Sequence, residues 1–272
     1  ERRIALVIGN GAYSSGPLKN PVNDATDVAD TLRNLGFQVL LKMNVRHQEM
    51  EEAVEDFGHR LRRGGVGLFY YAGHGVQVGG VNYLIPIGAR INKDSDVKHQ
   101  ALSTEKILDE MAYAQNGLNI VLLDDCRDNP FAKSMRSSSR GLAIISAAPE
   151  GTFISYATGP GQTARDGDGR NSPYTAALLK NMRRPGLPIE SVFKQVRIEL
   201  SSQKQTPWEL SSLKGEFYFV GGPSEAAEDS AFPRRQNPPE RLSSIQPDDS
   251  RRQMALTLAQ RAFREKKFAE PQ

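Results

Sequence analysis

The sequence NIVLLDDCRDNP, residues 119–130, places the only cysteine of the chain at the end of an apolar run. Residues 120–123 are predicted to form a buried strand, because their large apolar side chains are bounded by polar residues on both sides. Cys126 therefore lies where a strand gives way to a loop. Ligands bind at the carboxyl ends of parallel strands in open α/β sheets, so this pattern places the thiol in a candidate site.

The surroundings of Cys126 distinguish two interpretations of a lone cysteine. Many such residues are small buried hydrophobic groups without a chemical role. Here Asp124, Asp125 and Arg127 flank the thiol, and this polar setting favours a reactive group.

A base for the thiol is offered by FYYAGHG, residues 69–75. Residues 66–71 are predicted to form another buried strand, followed at residues 72–75 by a turn of small residues that leaves His74 at the end of that strand. The flanking glycines permit positive φ and a close approach of a substrate backbone. An imidazole and a thiol at the ends of two strands are the pair that nucleophilic catalysis by cysteine requires.

The periodicity of the remaining sequence indicates an α/β fold. Further strands are predicted at residues 4–8, 37–41, 151–158 and 215–220, and amphipathic helices at residues 20–35, 47–63, 103–114, 173–182 and 189–200. Residues 76–86 are predicted to form a β-hairpin around Gly79 and Gly80. We therefore predict a six-stranded, mainly parallel sheet that is covered by helices on both faces.

The composition is that of an ordinary globular protein, with 38% apolar and 25% charged residues among 272. No run of about 18 apolar residues occurs, so no membrane partner is predicted. The net charge of +3 is spread along the chain and predicts no nucleic-acid partner. A single cysteine excludes an intrachain disulfide.

No metal site is predicted. The other three histidines, His47 and His59 on a helix and His99 in a polar loop, lack the spacing of metal ligands. Asp166 and Asp168 resemble part of a calcium loop, but the closing glutamate is missing, so we predict a solvated turn there.

The composition changes after residue 222. Residues 223–250 are rich in proline, serine and charge and are predicted to be a linker. Residues 251–272 recover an amphipathic helical pattern. This helix is expected to pack on the preceding domain or to begin a helical module, and it is a candidate surface for a partner.

Eight segments of the chain together resemble the caspase-like cysteine peptidases, in particular the bacterial relatives of metacaspases and paracaspases called orthocaspases. The resemblance covers residue 3 to about residue 221 and is carried by IALVIGN, LKNPVNDA, FYYAGHGVQ, NYLIP, LLDDCRDNPF, SYATGPG, NSPYTAALL and QTPWELSS. The caspase signature places the histidine about 50 residues before the cysteine, which is the arrangement of His74 and Cys126. The Asp124-Asp125-Cys126 sequence is closer to the D-x-C of metacaspases than to the caspase form.

The resemblance implies a caspase-haemoglobinase-like three-layer α/β/α sandwich, with a peptidase domain at residues 1–222. It also implies a cysteine endopeptidase in which His74 and Cys126 act as a dyad, without a third member. The backbone N–H groups of Gly75 and Cys126 are the expected donors to the oxyanion. The expected partners are peptide or protein substrates.

The resemblance also implies a substrate specificity, which depends on two carboxylates. In metacaspases and paracaspases, the acidic residue two before the cysteine and the aspartate of the N-D-A motif line the first specificity pocket. These positions are occupied by Asp124 and Asp24. An anionic pocket accepts a guanidinium by paired hydrogen bonds and a lysine as a point charge, so cleavage after arginine, with lysine second, is expected.

No cofactor is predicted, although calcium stays open as the alternative. Calcium-activated metacaspases carry an aspartate a few residues beyond the cysteine. Lys133 occupies that neighbourhood here, and a cation repels Ca²⁺. Calcium-independent activity is therefore expected.

Self-cleavage is expected in the serine-rich stretch at residues 132–140. A peptidase with a basic preference meets its own Arg136 and Arg140 there, in a segment short of packing residues. Arg165 and Arg170 are alternative positions.

The resemblance points to a bacterial protein. The chain begins at Glu1 without a methionine, which we interpret as the loss of an upstream segment. If that segment was a signal peptide, a periplasmic or secreted location is expected, and otherwise a cytoplasmic one.

Two other functions remain open at this point. One is a catalytically silent caspase-like scaffold or adaptor that binds peptides without cutting them. The other is an unrelated α/β amidase that depends on Cys126.

Overall fold

The computed structural model describes residues 1–126, 143, 145, 148–159, 162, 164, 166–203 and 205–222. All of them belong to one compact unit, Glu1–Glu225. The predicted linker at residues 223–250 and the predicted helix at residues 251–272 lie outside the described residues and stay predictions.

The described chain forms a mainly parallel sheet with helices between the strands. The strands are β1 (Arg3–Gly9), β2 (Gln38–Met43), β3 (Val66–Val78), β4 (Val81–Leu84), β5 (Leu102–Ser103), β6 (Leu118–Cys126), β7 (Thr152–Tyr156) and β8 (Trp208–Ser211). The helices are α1 (Pro21–Asn34), α2 (His47–Leu61), α3 (Asp94–Gln100), α4 (Thr104–Ala114), α5 (Pro173–Asn181) and α6 (Ile189–Ser201).

The main path of the sheet contains six strands in the order β2-β1-β3-β6-β7-β8. All neighbouring pairs along this path are parallel except β7 and β8, which are antiparallel. The short strands β4 and β5 extend the far end of β3. The predicted six-stranded, mainly parallel sheet is therefore confirmed.

Helices cover both faces of this sheet and bury two separate cores. Side chains of α1, α5 and α6 pack on one face, where β1 contributes Ala5 and Val7. Side chains of α2 and α4 pack on the other face, where the intervening residues Ile4, Leu6 and Ile8 point. A strand buried on both faces needs a continuous apolar run, which explains why the central strands show little alternation in sequence. The predicted three-layer α/β/α arrangement is confirmed.

The predicted hairpin is also confirmed. Strands β3 and β4 pair in antiparallel fashion, and Val78 lies opposite Val81. The two residues between them, Gly79 and Gly80, have φ of +62° and +84°. A two-residue hairpin loop with positive φ at both positions favours glycine, because a side chain is strained in this conformation.

The last predicted strand was wrong. Residues 215–220 contain only an isolated bridge between Tyr218 and Pro188, and the sixth strand of the path is β8. Phe217 and Phe219 are buried in the core beside α5 and α6, so their alternation imitates a strand. The guanidinium of Arg3 donates to the carbonyls of Tyr218 and Phe219 at 3.0 and 2.9 Å, which satisfies groups that a strand would have paired.

A second correction concerns His99, which was expected in a polar loop. It lies instead in the last turn of the short helix α3. Asp96 in the first turn accepts hydrogen bonds from the backbone N–H groups of Asn92 and Lys93, and this local capping explains how so polar a segment forms a helix.

Among the described residues, no helix is both long and apolar enough to cross a membrane.

Candidate active site

His74 and Cys126 lie directly opposite each other in the parallel pair β3–β6. This position is the last pair of the ladder, because β6 ends at Cys126. Two residues that are far apart in sequence are thus brought side by side at the carboxyl end of the sheet, where ligands bind in α/β folds.

The expected turn of small residues at positions 72–75 is not present. Strand β3 continues through His74 to Val78, and its pairing changes from β6 to β4 after His74. The following glycine is required by packing, since a Cβ on Gly75 would lie 2.8 Å from Oδ2 and 3.2 Å from Cβ of Asp125. A side chain at residue 75 would force β3 and β6 apart beside the candidate dyad.

The imidazole of His74 is buried, with 2% of the residue exposed. Its Nε2 lies 2.6 Å from the carbonyl oxygen of Gly16 in the segment between β1 and α1. A carbonyl can only accept a hydrogen bond, so this contact places the proton of the neutral ring on Nε2. Nδ1 is then the nitrogen that can act as a base.

Asp24 and Asp124 are brought together by Ser172. Asp24, in the first turn of α1, accepts a hydrogen bond from the backbone N–H of Ser172 at 3.0 Å. Asp124, near the end of β6, accepts one from the hydroxyl of the same serine. Thr175 donates a further hydroxyl to Asp124 at 2.7 Å. Both carboxylates are buried, with 1% and 3% of each residue exposed.

The position of Ser172 has a local cause. Its hydroxyl also accepts the backbone N–H of Thr175 at 3.0 Å, which makes it the N-cap of α5, and Pro173 occupies the first helical position. Serine at the N-cap and proline after it are typical helix-start signals. The capping serine of α5 is therefore also the link between the two carboxylates.

Burial raises the pKa of both carboxyl groups. The pKa of Asp24 rises to about 8, through loss of hydration first and repulsion by Asp124 second. The pKa of Asp124 rises to about 6, again through burial, while the hydroxyls of Ser172 and Thr175 oppose the shift. Two buried acids that share a site hold their protons more tightly than exposed acids, because their negative charges are poorly hydrated and repel each other.

A third carboxylate, Asp166, belongs to the same neighbourhood. It accepts hydrogen bonds from the backbone N–H groups of Lys19 and Asn20 at 2.7 and 3.3 Å, just before α1 begins. Its charge contributes to the raised pKa of both Asp24 and Asp124. The predicted solvated turn was therefore wrong for Asp166, which is half-buried against the start of α1.

The sequence contained only a weak signal for Asp166. Its polar, glycine-rich surroundings are typical of a surface loop. The contacts that hold it come from residues almost 150 positions earlier in the chain, and no local pattern reports them.

Only some of the remaining predicted site residues lie in the described part of the chain. Gly75 directly follows His74 in β3, as its expected oxyanion role requires. Lys133, Arg136, Arg140 and Arg165 lie outside the described residues. Arg170 is described, and its guanidinium binds both carboxylate oxygens of Asp27 at 2.8 and 2.9 Å.

The described part of the chain contains no group of three or more His, Cys, Asp or Glu side chains that could hold a metal ion.

Comparison with known proteins supports an assignment to one family. The family model described as Peptidase C14, caspase domain, matches residues 2–218. The human mucosa-associated lymphoid tissue lymphoma translocation protein 1 is 37% identical over 126 residues, which are 46% of this chain. The mouse homologue shows the same identity over the same length. The matched part is 15% of each relative, so the chain corresponds to a small portion of them.

The fold has a counterpart among solved structures. Caspase-1 from Spodoptera frugiperda aligns over 81% of this chain and 91% of its own, with a TM-score of 0.57 and 14% sequence identity. At this identity the similarity concerns the fold, and it agrees with the helix-covered, mainly parallel sheet described above.

Proposed function

Since the chain belongs to the caspase domain family of cysteine peptidases, we propose that it is an endopeptidase whose dyad is His74 and Cys126. We further propose that it cleaves after arginine, and after lysine more slowly. The observation that carries the proposal of a dyad is the register of β3 and β6, which places the two residues opposite each other. Its substrates are proposed to be proteins or peptides.

The proposed reaction proceeds by acyl transfer. The thiolate of Cys126 attacks the scissile carbonyl carbon, and the proton of the thiol resides on His74. The carbon–nitrogen bond breaks as His74 gives this proton to the leaving amine. Water then attacks the thioester while His74 accepts a proton, which releases the acid product and restores the thiol.

Backbone donors are proposed to stabilise the negative oxygen that forms in each step. The N–H groups of Gly75 and Cys126 are the candidates, because Gly75 follows His74 in β3 and Cys126, at the end of β6, carries the attacking thiol. Such donors are worth about 100-fold or more in rate when they point at the developing oxyanion.

The proposed arginine specificity rests on the carboxylates of Asp24 and Asp124. Both are buried, and their hydrogen-bond partners are uncharged: Ser172 and the side chain of Asn171 for Asp24, and the hydroxyls of Ser172, Thr175 and Tyr70 for Asp124. A guanidinium entering the pocket would supply the positive charge that neither carboxylate receives from these partners. An aspartate side chain would meet repulsion from Asp24, Asp124 and Asp166.

Three further expectations concern the same enzyme and are kept as proposals. Activity without calcium rests on the charge of Lys133. Self-cleavage after Arg136 or Arg140 rests on the sequence alone. Cleavage after Arg170 is disfavoured, because its guanidinium already binds Asp27. Intact mass and peptide mapping of the purified protein, with and without a chelator, test these proposals.

A thiol-reactive activity probe combined with a positional-scanning peptide library tests the function. We expect labelling of wild type but not of Cys126→Ala, and turnover that is highest with arginine before the scissile bond. Labelling without turnover of any peptide would contradict the peptidase. A preference for aspartate or an apolar residue before the scissile bond would contradict only the proposed pocket. The absence of both labelling and turnover would indicate a silent scaffold.

A further inference from the structure

The segment between β1 and α1 contacts His74 through a second residue, Tyr13. The two ring centroids are 4.4 Å apart and the ring planes are inclined by 48°. The hydroxyl of Tyr13 accepts the backbone N–H of His74 at 3.0 Å and donates to the carbonyl of Ile85 at 2.9 Å. Tyr13 therefore holds both the ring and the backbone of the histidine.

A second tyrosine completes this arrangement. The hydroxyl of Tyr71 donates to the carbonyl of His74 at 2.9 Å and lies 3.2 Å from the hydroxyl of Tyr13. Burial raises the pKa of Tyr71 well above its usual value, so this hydroxyl stays protonated and remains a donor at physiological pH. The backbone of His74 is thus bound on its N–H and on its carbonyl by two phenols.

The packing around the two phenols leaves no space for a side chain at residue 73. A Cβ on Gly73 would lie 2.5 Å from the hydroxyl of Tyr71 and 2.7 Å from that of Tyr13. The glycine before the histidine is therefore required by the hydroxyls of Tyr13 and Tyr71 and by its own φ of +157°, and not by a turn.

The segment that carries Tyr13 is itself held firmly. The side-chain oxygen of Asn44 accepts the N–H groups of Gly11 and Ala12 at 2.9 and 3.0 Å. The side chain of Asn10 accepts the N–H of Val45 at 3.0 Å. These bonds join the segment to the end of β2, so Tyr13 and Gly16 approach His74 from a fixed support.

We propose that Tyr13 is a positioning residue for His74, which it holds by ring contact and by the hydrogen bond from the backbone N–H. This inference rests on the proposed function. Gly16 restrains the imidazole at Nε2, and Tyr13 restrains it against its face, so that two contacts from one segment limit rotation of the ring. The position of Nδ1, the nitrogen that acts as the base in the proposed reaction, then depends on the segment between β1 and α1.

A purely structural role is the alternative, because Tyr13 also belongs to a small apolar cluster beneath β3 and β4 that includes Val76 and Ile91. The two roles predict different kinetics. A cluster residue affects stability, whereas a positioning residue affects kcat and the pH dependence of the thiol while KM stays unchanged.

Two substitutions separate the contacts. Tyr13→Phe keeps the ring and removes the hydroxyl, and we expect kcat for an arginine substrate to fall about fivefold to tenfold. Tyr13→Leu removes the ring contact as well, and we expect a loss of about 100-fold, as for a misplaced catalytic group. Tyr113→Phe is the matched control, because Tyr113 is 70% exposed and contacts Arg62 on the surface.

The second measurement is the rate of Cys126 alkylation by iodoacetamide as a function of pH. An imidazolium held beside the thiol lowers its pKa, so both Tyr13 variants should shift the midpoint of alkylation upward toward the value of a free thiol, about 8.5. This readout needs no peptide turnover. If wild type hydrolyses no peptide, the proposed function fails while the alkylation profile still tests Tyr13.

The proposal is overturned if Tyr13→Phe keeps both the kcat and the alkylation midpoint of wild type and Tyr13→Leu changes only the unfolding midpoint. If Tyr13→Leu does not fold, Tyr13→Phe decides, because it preserves the volume of the ring. A graded loss in the order wild type, Tyr13→Phe, Tyr13→Leu supports it.

Discussion

Asp24 and Asp124 are linked through a single residue, whose backbone N–H binds one carboxylate while its hydroxyl binds the other. That residue, Ser172, lies at the start of α5, whereas the carboxylates lie on α1 and β6. Three separate elements therefore meet in one buried acidic cluster, which is the proposed specificity pocket. Its charge depends on pH, because the pKa values of Asp24 and Asp124 are raised to about 8 and about 6.

The affinity of the pocket for a guanidinium should rise with pH. Below pH 6 both carboxyl groups are mostly neutral, and above pH 8 both are charged. Binding of agmatine to the Cys126→Ala variant, measured by calorimetry, should strengthen by about tenfold or more between pH 5.5 and pH 8.5. Near pH 7 binding should release a proton. An affinity that does not change over this range would contradict the assignment of the pocket.

The stability of the ligand-free protein should show the opposite trend. Acids with a raised pKa bind protons in the folded state that the unfolded chain has already lost. The stability that the protonated forms of Asp24 and Asp124 contribute is fully present below about pH 4. It is lost as the pH rises through 6 and 8, where these two groups ionise in the folded protein.

The measurement is the free energy of unfolding in urea at pH 5 and at pH 8.5 for wild type and Asp24→Asn. The variant cannot ionise at residue 24, so its stability should decline less with rising pH. The comparison of the two proteins removes the effect of other titrating groups, such as Asp27, whose pKa is lowered by Arg170. Parallel pH profiles for both proteins are the contrary result.

Removal of one carboxylate charge should weaken catalysis with arginine substrates. Asp24→Asn or Asp124→Asn is expected to cost about 2–5 kcal/mol in kcat/KM, the usual cost of removing one partner of a buried charge pair. Asp30→Asn on the same helix is the control, since Asp30 is exposed and pairs with Arg33. Equal kcat/KM values for the three variants and wild type would exclude a role of these carboxylates in specificity.

Cys126→Ala and His74→Ala should each abolish peptide hydrolysis, and the double variant should be no worse than either single one. Groups that act as a unit give such non-additive losses. Circular dichroism and the unfolding midpoint serve as the control for folding. More than a small residual rate in either single variant would falsify the dyad.

Gly75→Ala should be destabilised by about 1–3 kcal/mol, because its Cβ would lie 2.8 Å from a carboxylate oxygen of Asp125. The same methyl group would separate β3 from β6 beside His74, so kcat should fall too. Gly117→Ala is the matched control, since its Cβ would meet Gly65 at an ordinary 3.6 Å. Similar urea midpoints for both variants would show that the approach of β3 and β6 tolerates a side chain.

The local sequence pattern was sufficient to predict the strands that carry the proposed dyad. The apolar runs of β1, β3 and β6 are visible in sequence because these strands are buried on both faces. His74 and Cys126 follow such runs directly, so their meeting at one sheet edge could be predicted before the register was known. The hairpin at Gly79 and Gly80 was equally visible, because its backbone conformation selects glycine.

Contacts between segments that are far apart in the chain decided the features that the local sequence pattern did not predict. The continuation of β3 past His74 depends on β4, and the sixth strand depends on β7 and not on the alternation of residues 215–220. Asp166 and Tyr13 escaped prediction for the same reason, since their contacts join the start of α1 and β3 to distant segments. The amino-acid sequence by itself thus determined the buried strands β1, β3 and β6 and the polar residues near their carboxyl ends. Only the tertiary structure decided which backbone groups and carboxylates share a site, because burial and hydrogen bonding between remote segments have no periodicity along the chain.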